Sequence, residues 1–200
     1  MDSQSRTAAG TGGAGLRADA RRNRDQIVAA ALLLFQQEGV DVPMEEVARR
    51  AGVGVGTLYR RFPDRDSLIR AAAQASLHAL SELARTAVRE EPGAWPALCR
   101  FLRGCADLQL GALSSALEPH LHEEIQVDPE LFEPRREVID LVAQMTAQAQ
   151  ADGMLRADVS IAEVTLLMTV QIYTPSHVPR PEAMQRTVEI MIDGLRATHA

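Results

Sequence analysis

Cysteine, aromatic residues and lysine are scarce or missing in this sequence. There is no lysine, and Cys99 and Cys105 are the only cysteines. Both fall in one predicted helix, where a rise of ~1.5 Å per residue places their Cα atoms about 9 Å apart, beyond the reach of a disulfide. Unpaired thiols fit a protein of the reducing cytoplasm.

Strand patterns and long apolar runs are also missing. Aromatic residues make up 4% of the chain, and its apolar residues, 46% in all, are mostly Ala and Leu at helical spacing. No apolar run approaches the ~20 residues that span a membrane, and the N-terminus lacks the apolar core of a signal peptide. We therefore expect an all-α protein in the cytoplasm, with no membrane among its partners.

The charge of the chain is unevenly distributed. The formal net charge is −6. Residues 1–70 carry 11 Arg and 9 Asp or Glu, a net charge of +2, whereas residues 71–200 carry 10 Arg and 18 Asp or Glu, a net charge of −8. A basic head on an acidic body would turn its head towards a polyanion such as DNA.

A tight turn near Gly52 is the most informative local feature. Glycine readily adopts the positive φ at which a helix stops and turns, and helical spacing resumes at Val55. Leu58 and Phe62 are predicted to face inwards, and Pro63 ends this second helix because the residue before a proline is pushed out of the α region. The outer face then carries Gly56, Thr57, Tyr59, Arg60 and Arg61.

Two interpretations of this helix remain open from the residues alone. It is either the recognition helix of a DNA-binding helix-turn-helix or an ordinary corner between two helices with a solvated basic face. In the first interpretation, small residues let the backbone approach base edges, Arg reads guanine, and Val55 contacts a thymine methyl group. The candidates for base contact are Val55, Gly56, Thr57 and Arg60, and Arg61 is a candidate for phosphate contact.

The run GVGVGTLYRRFPDRDSL at residues 52–68 resembles the N-terminal DNA-binding domain of the TetR family of bacterial regulators. The segment from Gln26 to Val40 resembles the first helix of that domain, so the resemblance covers roughly residues 22–70. The chain departs from the family at the start of the second helix. The family often has Ser or Thr there, whose hydroxyl meets a phosphate, whereas this chain has Val42, Pro43 and Met44.

The resemblance implies both an architecture and a function. It implies a helix-turn-helix domain of three helices over residues 21–68, followed by a helical ligand-binding and dimerisation domain over residues 69–200. It also implies that Tyr59 and Arg65 hold DNA phosphates. The expected function is a ligand-responsive repressor of transcription that binds a near-palindromic operator as a homodimer and is released by a small effector. No enzymatic activity, cofactor or metal is expected.

Helical periodicity places the other elements. Residues 1–20 are rich in Gly, Ala, Ser and Thr and are predicted to form a disordered tail, which is either passive or able to place Arg6 and Arg17 in a minor groove. The first helix is expected from residue 19 or 21 to residue 37, with an inner face of Ile27, Ala30, Ala31, Leu34 and Phe35. Arg21, Arg22 and Arg24 at its start either contact phosphates or are simply solvated. Further helices are predicted over about residues 43–51, 65–88, 94–110, 112–117, 130–151, 161–173 and from residue 181 onwards.

The last two predicted helices carry more apolar surface than one subunit needs to bury. The segment 161–173 is apolar nearly all round, which is typical of a helix covered on both sides. In the family that this chain resembles, these helices form a four-helix bundle with those of a second subunit. The expected dimer interface is Ile161, Val164, Met168, Met184, Val188, Met191, Ile192 and Leu195. The expected effector pocket, which favours a mostly apolar molecule, is Leu98, Leu102, Cys105, Met145 and Tyr173.

Two alternatives to a regulator remain at this level. One is a helical interaction protein whose helix-turn-helix does not read DNA. The other is an enzyme that uses Cys99 or Cys105 with a histidine, although no nucleophile motif surrounds either cysteine. A metal site at His120 and His122 is disfavoured, because histidines two residues apart face different sides of a helix.

Overall fold

The computed structural model describes residues 11–109, 113, 114, 116, 117, 128–170 and 180–197, and within these residues the protein is all-α, as predicted. Its helices are α1 (Thr11–Glu38), α2 (Met44–Ala51), α3 (Val55–Arg61), α4 (Arg65–Glu90), α5 (Ala94–Asp107), α6 (Pro129–Ala151), α7 (Ile161–Met168) and α8 (Arg180–Leu195). The described residues form no strand, and an isolated antiparallel bridge joins Leu155 to Arg196. None of the helices in these ranges is long and apolar enough to cross a membrane.

The chain forms two compact units, Met1–Ala72 and Ala73–Ala200, whereas the sequence predicted a boundary after residue 68. α4 contributes to both units because it runs through the boundary. In the first unit, α1 packs against α2 and α3. The predicted inner face of α1 is confirmed, since Ile27, Ala30, Ala31, Leu34 and Phe35 are all buried.

α1 begins much earlier than predicted. It starts at Thr11, so residues 11–20 belong to a helix and not to a disordered tail. The stretch begins with several glycines, which predicted disorder, but the residues that follow, Leu16, Arg17, Ala18 and Ala20, have high helix propensity. Arg6, the other candidate for a minor-groove arm, lies outside the described residues.

The second unit is built around α5. This helix contacts α6, α7 and α8 and buries Trp95, Leu98, Phe101, Leu102 and both cysteines, as well as Ala97. α6 adds Val138, Val142, Met145 and Ala149 to the same core. The helix is followed by Gly153 at a φ of +69°.

α7 is shorter than predicted. It ends at Met168, with Thr169 at its C-terminal cap, and does not run on through residue 170; residues 171–179 lie outside the described part. Within the single chain, α7 is covered on one side only. Val164 is fully buried, but the Leu166 side chain on the opposite side is 66% exposed.

Candidate nucleic-acid interface

The turn between α2 and α3 has the predicted geometry. Gly52 lies at the C-terminal cap of α2 with φ +68° and ψ +26°, the left-handed conformation. A Cβ on Gly52 would have no heavy atom within 4 Å, so its backbone conformation, and not a lack of space, favours glycine there. The Val53 N–H donates to the Ala48 carbonyl at 3.0 Å, and the Thr57 N–H donates to the Gly54 carbonyl at 2.8 Å to open α3.

α3 is fixed to the first unit through its inner side. Leu58 and Phe62 are buried, as predicted. Phe62 ends the helix in an extended conformation, with φ −133° and ψ +93°, as the residue before Pro63 must. The Asp64 carboxylate then accepts a hydrogen bond of 2.7 Å from the Ser67 N–H and so stabilises the start of α4.

The outer side of α3 faces solvent and carries the predicted contact residues. Val55, Gly56, Tyr59, Arg60 and Arg61 are exposed, and Thr57 is half-buried. The Arg60 guanidinium donates from Nη2 to the Thr57 hydroxyl oxygen at 2.9 Å. This bond holds the guanidinium beside the helix, so two of the candidates for base contact act as one group.

Arg65, which the resemblance assigned to a phosphate, contacts the backbone of its own unit. Its Nη1 donates to the carbonyl oxygen of Val40 and to that of Val42, the latter at 2.6 Å. Both carbonyls lie in the loop between α1 and α2. No sequence pattern indicated this contact, because its partners lie 25 and 23 residues away along the chain.

α1 adds a basic residue next to the end of α3. The guanidinium carbon of Arg24 lies 5.6 Å from the centre of the Phe62 ring, within the range of a cation–π contact. Since Phe62 directly follows α3, Arg24 lies beside the helix end that carries Arg60 and Arg61. The basic surface of the first unit therefore extends from α3 onto α1.

The predicted pocket residues lie mostly in the core of the second unit. Leu98, Leu102, Cys105 and Met145 are all buried in one cluster, and Tyr173 lies outside the described residues. Two cavities of about 250 Å³ each are described, and Leu98, Leu102 and Cys105 line neither of them. One cavity lies between α5 and α8, and the other lies between the end of α4, the start of α5 and Met145 of α6.

The chemistry of the cysteines argues against nucleophilic catalysis. Burial raises the pKa of Cys99 to about 11, although the nearby Arg103 opposes this shift. Burial also raises the pKa of Cys105 to about 12. Both thiols therefore stay protonated at neutral pH. In the part of the chain that the structure describes, no three His, Cys, Asp or Glu side chains come together to hold a metal ion; His120 and His122 lie outside it.

Most of the residues predicted for the dimer interface are buried within the single chain. Val164, Met168, Val188, Ile192 and Leu195 all belong to the core of the second unit in the single chain. Ile161 is 41% exposed, and Met184 and Met191 are half-buried. The most exposed large apolar side chains on these helices are Leu166 and Ile190, which were not among the predicted interface residues.

Comparison with known proteins decides the family. The profile of the bacterial regulatory proteins of the tetR family matches residues 27–72. The profile of the C-terminal domain of SbtR-like transcriptional regulators matches residues 91–197, more than half of the chain. The chain belongs to the TetR family.

Solved structures of TetR proteins agree over nearly the whole chain. A TetR transcription regulatory protein from Mycobacterium vanbaalenii is 33% identical, covers 91% of this chain and 99% of its own, and gives a TM-score of 0.64. A TetR transcriptional regulator from Streptomyces coelicolor is 30% identical, with coverage of 88% and 99% and a TM-score of 0.62. The residues described above thus belong to a transcriptional regulator with a helix-turn-helix DNA-binding domain.

A curated relative matches the DNA-binding region of this TetR protein. An HTH-type transcriptional regulator of Staphylococcus aureus (strain USA300) is 44% identical over 54 residues, which are 26% of this chain and 29% of the relative. The match therefore spans less than a third of the relative's length.

Proposed function

We propose that this protein is a repressor that binds a near-palindromic operator as a homodimer and leaves it when a small, mostly apolar effector binds. The observation that carries the proposal is the exposed side of α3, where Thr57 and Arg60 form one hydrogen-bonded group at 2.9 Å beside Val55 and Tyr59. Such a surface matches the donors and apolar groups that read base edges in a major groove.

The roles of the α3 residues follow from their position and chemistry. Val55, Gly56, Thr57 and Arg60 contact base edges, while Tyr59 and Arg61 contact phosphates on either side of the groove. The turn at Gly52 and the buried Leu58 hold the helix in place, so the outer side chains are presented without rearrangement of the backbone.

Dimerisation uses the outward side of α7 and α8. Leu166 of α7 and Ile190 of α8 are 66% and 56% exposed. The hydroxyl of Thr187, one turn before Ile190, donates to the Ala183 carbonyl of its own helix at 2.8 Å. The hydroxyl of Thr169 donates to the Leu166 carbonyl at 3.1 Å. Because these hydroxyls are satisfied internally, they do not compete with the contacts that Leu166 and Ile190 can make to the same surface of a second copy. Exposed charges such as Arg186 and Asp193, which lie near Ile190 on the helix, would surround the apolar contacts.

A twofold dimer explains how one short helix achieves specificity. A single recognition helix contacts too few base pairs, whereas a dimer places two of them in successive major grooves about 34–36 Å apart. The operator should then be near-palindromic, because each half-site meets an identical α3.

The effector is proposed to bind among the helices of the second unit. Support comes from its apolar core around α5 and α6. The two cavities of about 250 Å³ at its helix junctions are open to solvent and are lined in part by charged side chains such as Arg103, Glu189 and Glu91. By linkage, an effector that lowers operator affinity must itself bind less tightly when operator is present, by the same factor.

Selection of bound sequences from a random DNA pool tests the proposal directly. We expect enrichment of a near-palindromic site with half-sites one helical turn apart, and we expect the same site upstream of the protein's own or a neighbouring gene. A reporter gene behind that site should be silenced when the protein is present. A protein that enriches no sequence, while it remains folded, would instead be a helical interaction protein.

A further inference from the structure

We propose that Arg65 is a positioning residue for the recognition helix, and that it acts through the loop before α2 and not through a DNA phosphate. The inference rests on the proposed DNA-binding function and changes the role that the family resemblance assigned to this side chain. Arg65 is the first residue of α4 and is half-buried.

The donors of Arg65 are partly used up within the protein. A guanidinium Nη1 carries two N–H groups, and here both are accounted for by the carbonyls of Val40 and Val42. Only Nε and Nη2 remain for another partner. Charge-assisted hydrogen bonds of this kind are roughly twice as strong as neutral ones, so the pair on Nη1 ties the side chain firmly to the loop.

The loop that Arg65 holds decides where α2 begins. The side chains of Val40 and Val42 are buried, and the carbonyl of the next residue, Pro43, accepts the N–H groups of Glu46 and Val47 at 3.0 and 3.2 Å. The loop backbone is thus continuous with the first turn of α2. A shift of the two valine carbonyls would shift that turn as well.

Among the described residues, no side-chain cap stabilises the start of α2. Pro43 occupies the N-terminal cap position, and no side chain accepts a hydrogen bond from the first turn. This is the place where the chain departs from its family by lacking a Ser or Thr. Arg65 supplies a tie from outside the helix, because it reaches across from α4 to the residues just before the cap.

The hydrogen bonds of Arg65 connect the elements on either side of the recognition helix. α3 lies between α2 and α4 in the chain, and Arg65 joins the beginning of α4 back to the loop that precedes α2. With Leu58 fixing the inner side of α3 and Arg65 fixing the elements on either side, the orientation of Thr57 and Arg60 is set before DNA arrives. Preorganisation of this kind increases affinity by lowering the cost of ordering on binding.

Two measurements on the full-length protein separate positioning from phosphate contact. The first is the salt dependence of binding to the selected operator for the unmodified protein, Arg65→Ala and the control Arg61→Ala. Removal of one phosphate contact lowers the slope of log K against log salt by about 0.9. We expect that loss for Arg61→Ala, whose side chain is exposed, whereas Arg65→Ala should weaken binding about tenfold with its slope unchanged.

The second measurement is amide hydrogen exchange of the free protein. In Arg65→Ala, the amides of residues 40–47 should exchange faster, while in Arg61→Ala they should match the unmodified protein. Arg65→Lys should restore much of the protection, because one ammonium nitrogen has three donors and can serve both carbonyls. Since this lysine variant keeps the charge and a tie, it also covers the case in which the alanine variant folds poorly.

A slope reduced by about 0.9 in Arg65→Ala, with unchanged exchange over residues 40–47, would overturn the proposal and return Arg65 to a phosphate. If the unmodified protein enriches no DNA sequence, the proposed function fails by itself. Faster exchange in Arg65→Ala would still support the positioning role in that case, and unchanged exchange would refute it.

Discussion

At the scale of single residues, Thr57 and Arg60 form the hydrogen-bonded group to which our proposal assigns base reading. Their hydrogen bond of 2.9 Å lies on the exposed side of α3 and joins residues three apart, which neighbour each other on a helix surface. Thr57 also gains a second role, since it restricts the rotamers of the longer side chain. Because Thr57 positions Arg60, we predict that the contributions of these two residues to base specificity are not independent.

We expect Arg60→Ala to abolish discrimination at one base pair of each half-site, at a cost of about 1–3 kcal/mol. Thr57→Val keeps the shape of Thr57 but removes its hydroxyl acceptor, so it should reduce the preference at the same base pair. The double variant should lose less than the sum of the single losses, because the two residues act together. Competition binding to operators with single base changes measures the base preference of each variant. Arg61→Ala serves as the control, because it should weaken binding to all sequences alike. Unaltered base preferences in Arg60→Ala would show that this residue does not read bases.

The buried thiols give a second prediction at this scale. With pKa values of about 11 for Cys99 and about 12 for Cys105, the native protein at pH 8 should react with iodoacetamide at least roughly a hundredfold more slowly than the same chain unfolded in urea. The reaction rate of the folded protein should rise about tenfold per pH unit above pH 8 and level off only above about pH 11. Rapid alkylation of either cysteine in the native state at pH 8 would contradict this and revive a nucleophilic role.

At the scale of elements, α5 contacts α4 where Gly104 faces the side chain of Leu83. A Cβ on Gly104 of α5 would lie 2.5 Å from Cδ2 and 2.7 Å from Cδ1 of Leu83 on α4. The same two helices are tied near their junction by Arg100, which pairs with Glu90 at 2.8 Å and with Glu91 at 3.1 Å. Glycine at position 104 is thus required for space and not for its backbone conformation.

Gly104→Ala should therefore lower the free energy of unfolding by about 1–3 kcal/mol, the usual cost of overpacking. In a chain that also carries Leu83→Ala, the added methyl group has room, so the second substitution should cost much less than it does alone. Urea unfolding, monitored by the fluorescence of the buried Trp95 at one fixed protein concentration, measures the free energy of unfolding of the single and double variants. Additive losses in the double variant would mean that Leu83 is not the obstacle.

At the scale of the whole molecule, the second copy is expected to cover Leu166 and Ile190. Each of Leu166→Asp and Ile190→Asp should yield a folded monomer, because the charge falls on a surface that only the partner buries. Ile192→Asp is the matched control two residues further on: it places a charge in the core, so it should unfold the chain. Light scattering gives the mass, and circular dichroism gives the helix content. If both surface variants remain dimeric, the interface lies elsewhere.

The helix-turn-helix could be derived from the sequence because its determinants are local. A left-handed residue at Gly52, inward Leu58 and Phe62, and a helix end before Pro63 depend on neighbours within a few residues. The face of α1 was also predicted correctly, since a helix with one apolar side has one way to bury it.

The faces of α7 and α8 were decided only by the tertiary structure. α7 is apolar nearly all round, so periodicity cannot tell the side that meets the core from the side that meets a partner. Val164 and Val188, which were predicted to lie in the dimer interface, are buried in the core of the second unit. Leu166 and Ile190 remain exposed on its surface.

The same division holds for the DNA-binding site. Composition and spacing determined an all-α chain with a short helix after Gly52 whose outer side carries small, hydroxyl-bearing and basic residues, and the family resemblance identified it as a recognition helix. The contact from Arg65 to Val40 and Val42 could not be predicted from the sequence, because an arginine near a helix start can donate to a phosphate or to a carbonyl oxygen. Only the fold brings the loop between α1 and α2, 23 residues distant in sequence, within hydrogen-bond reach of Arg65.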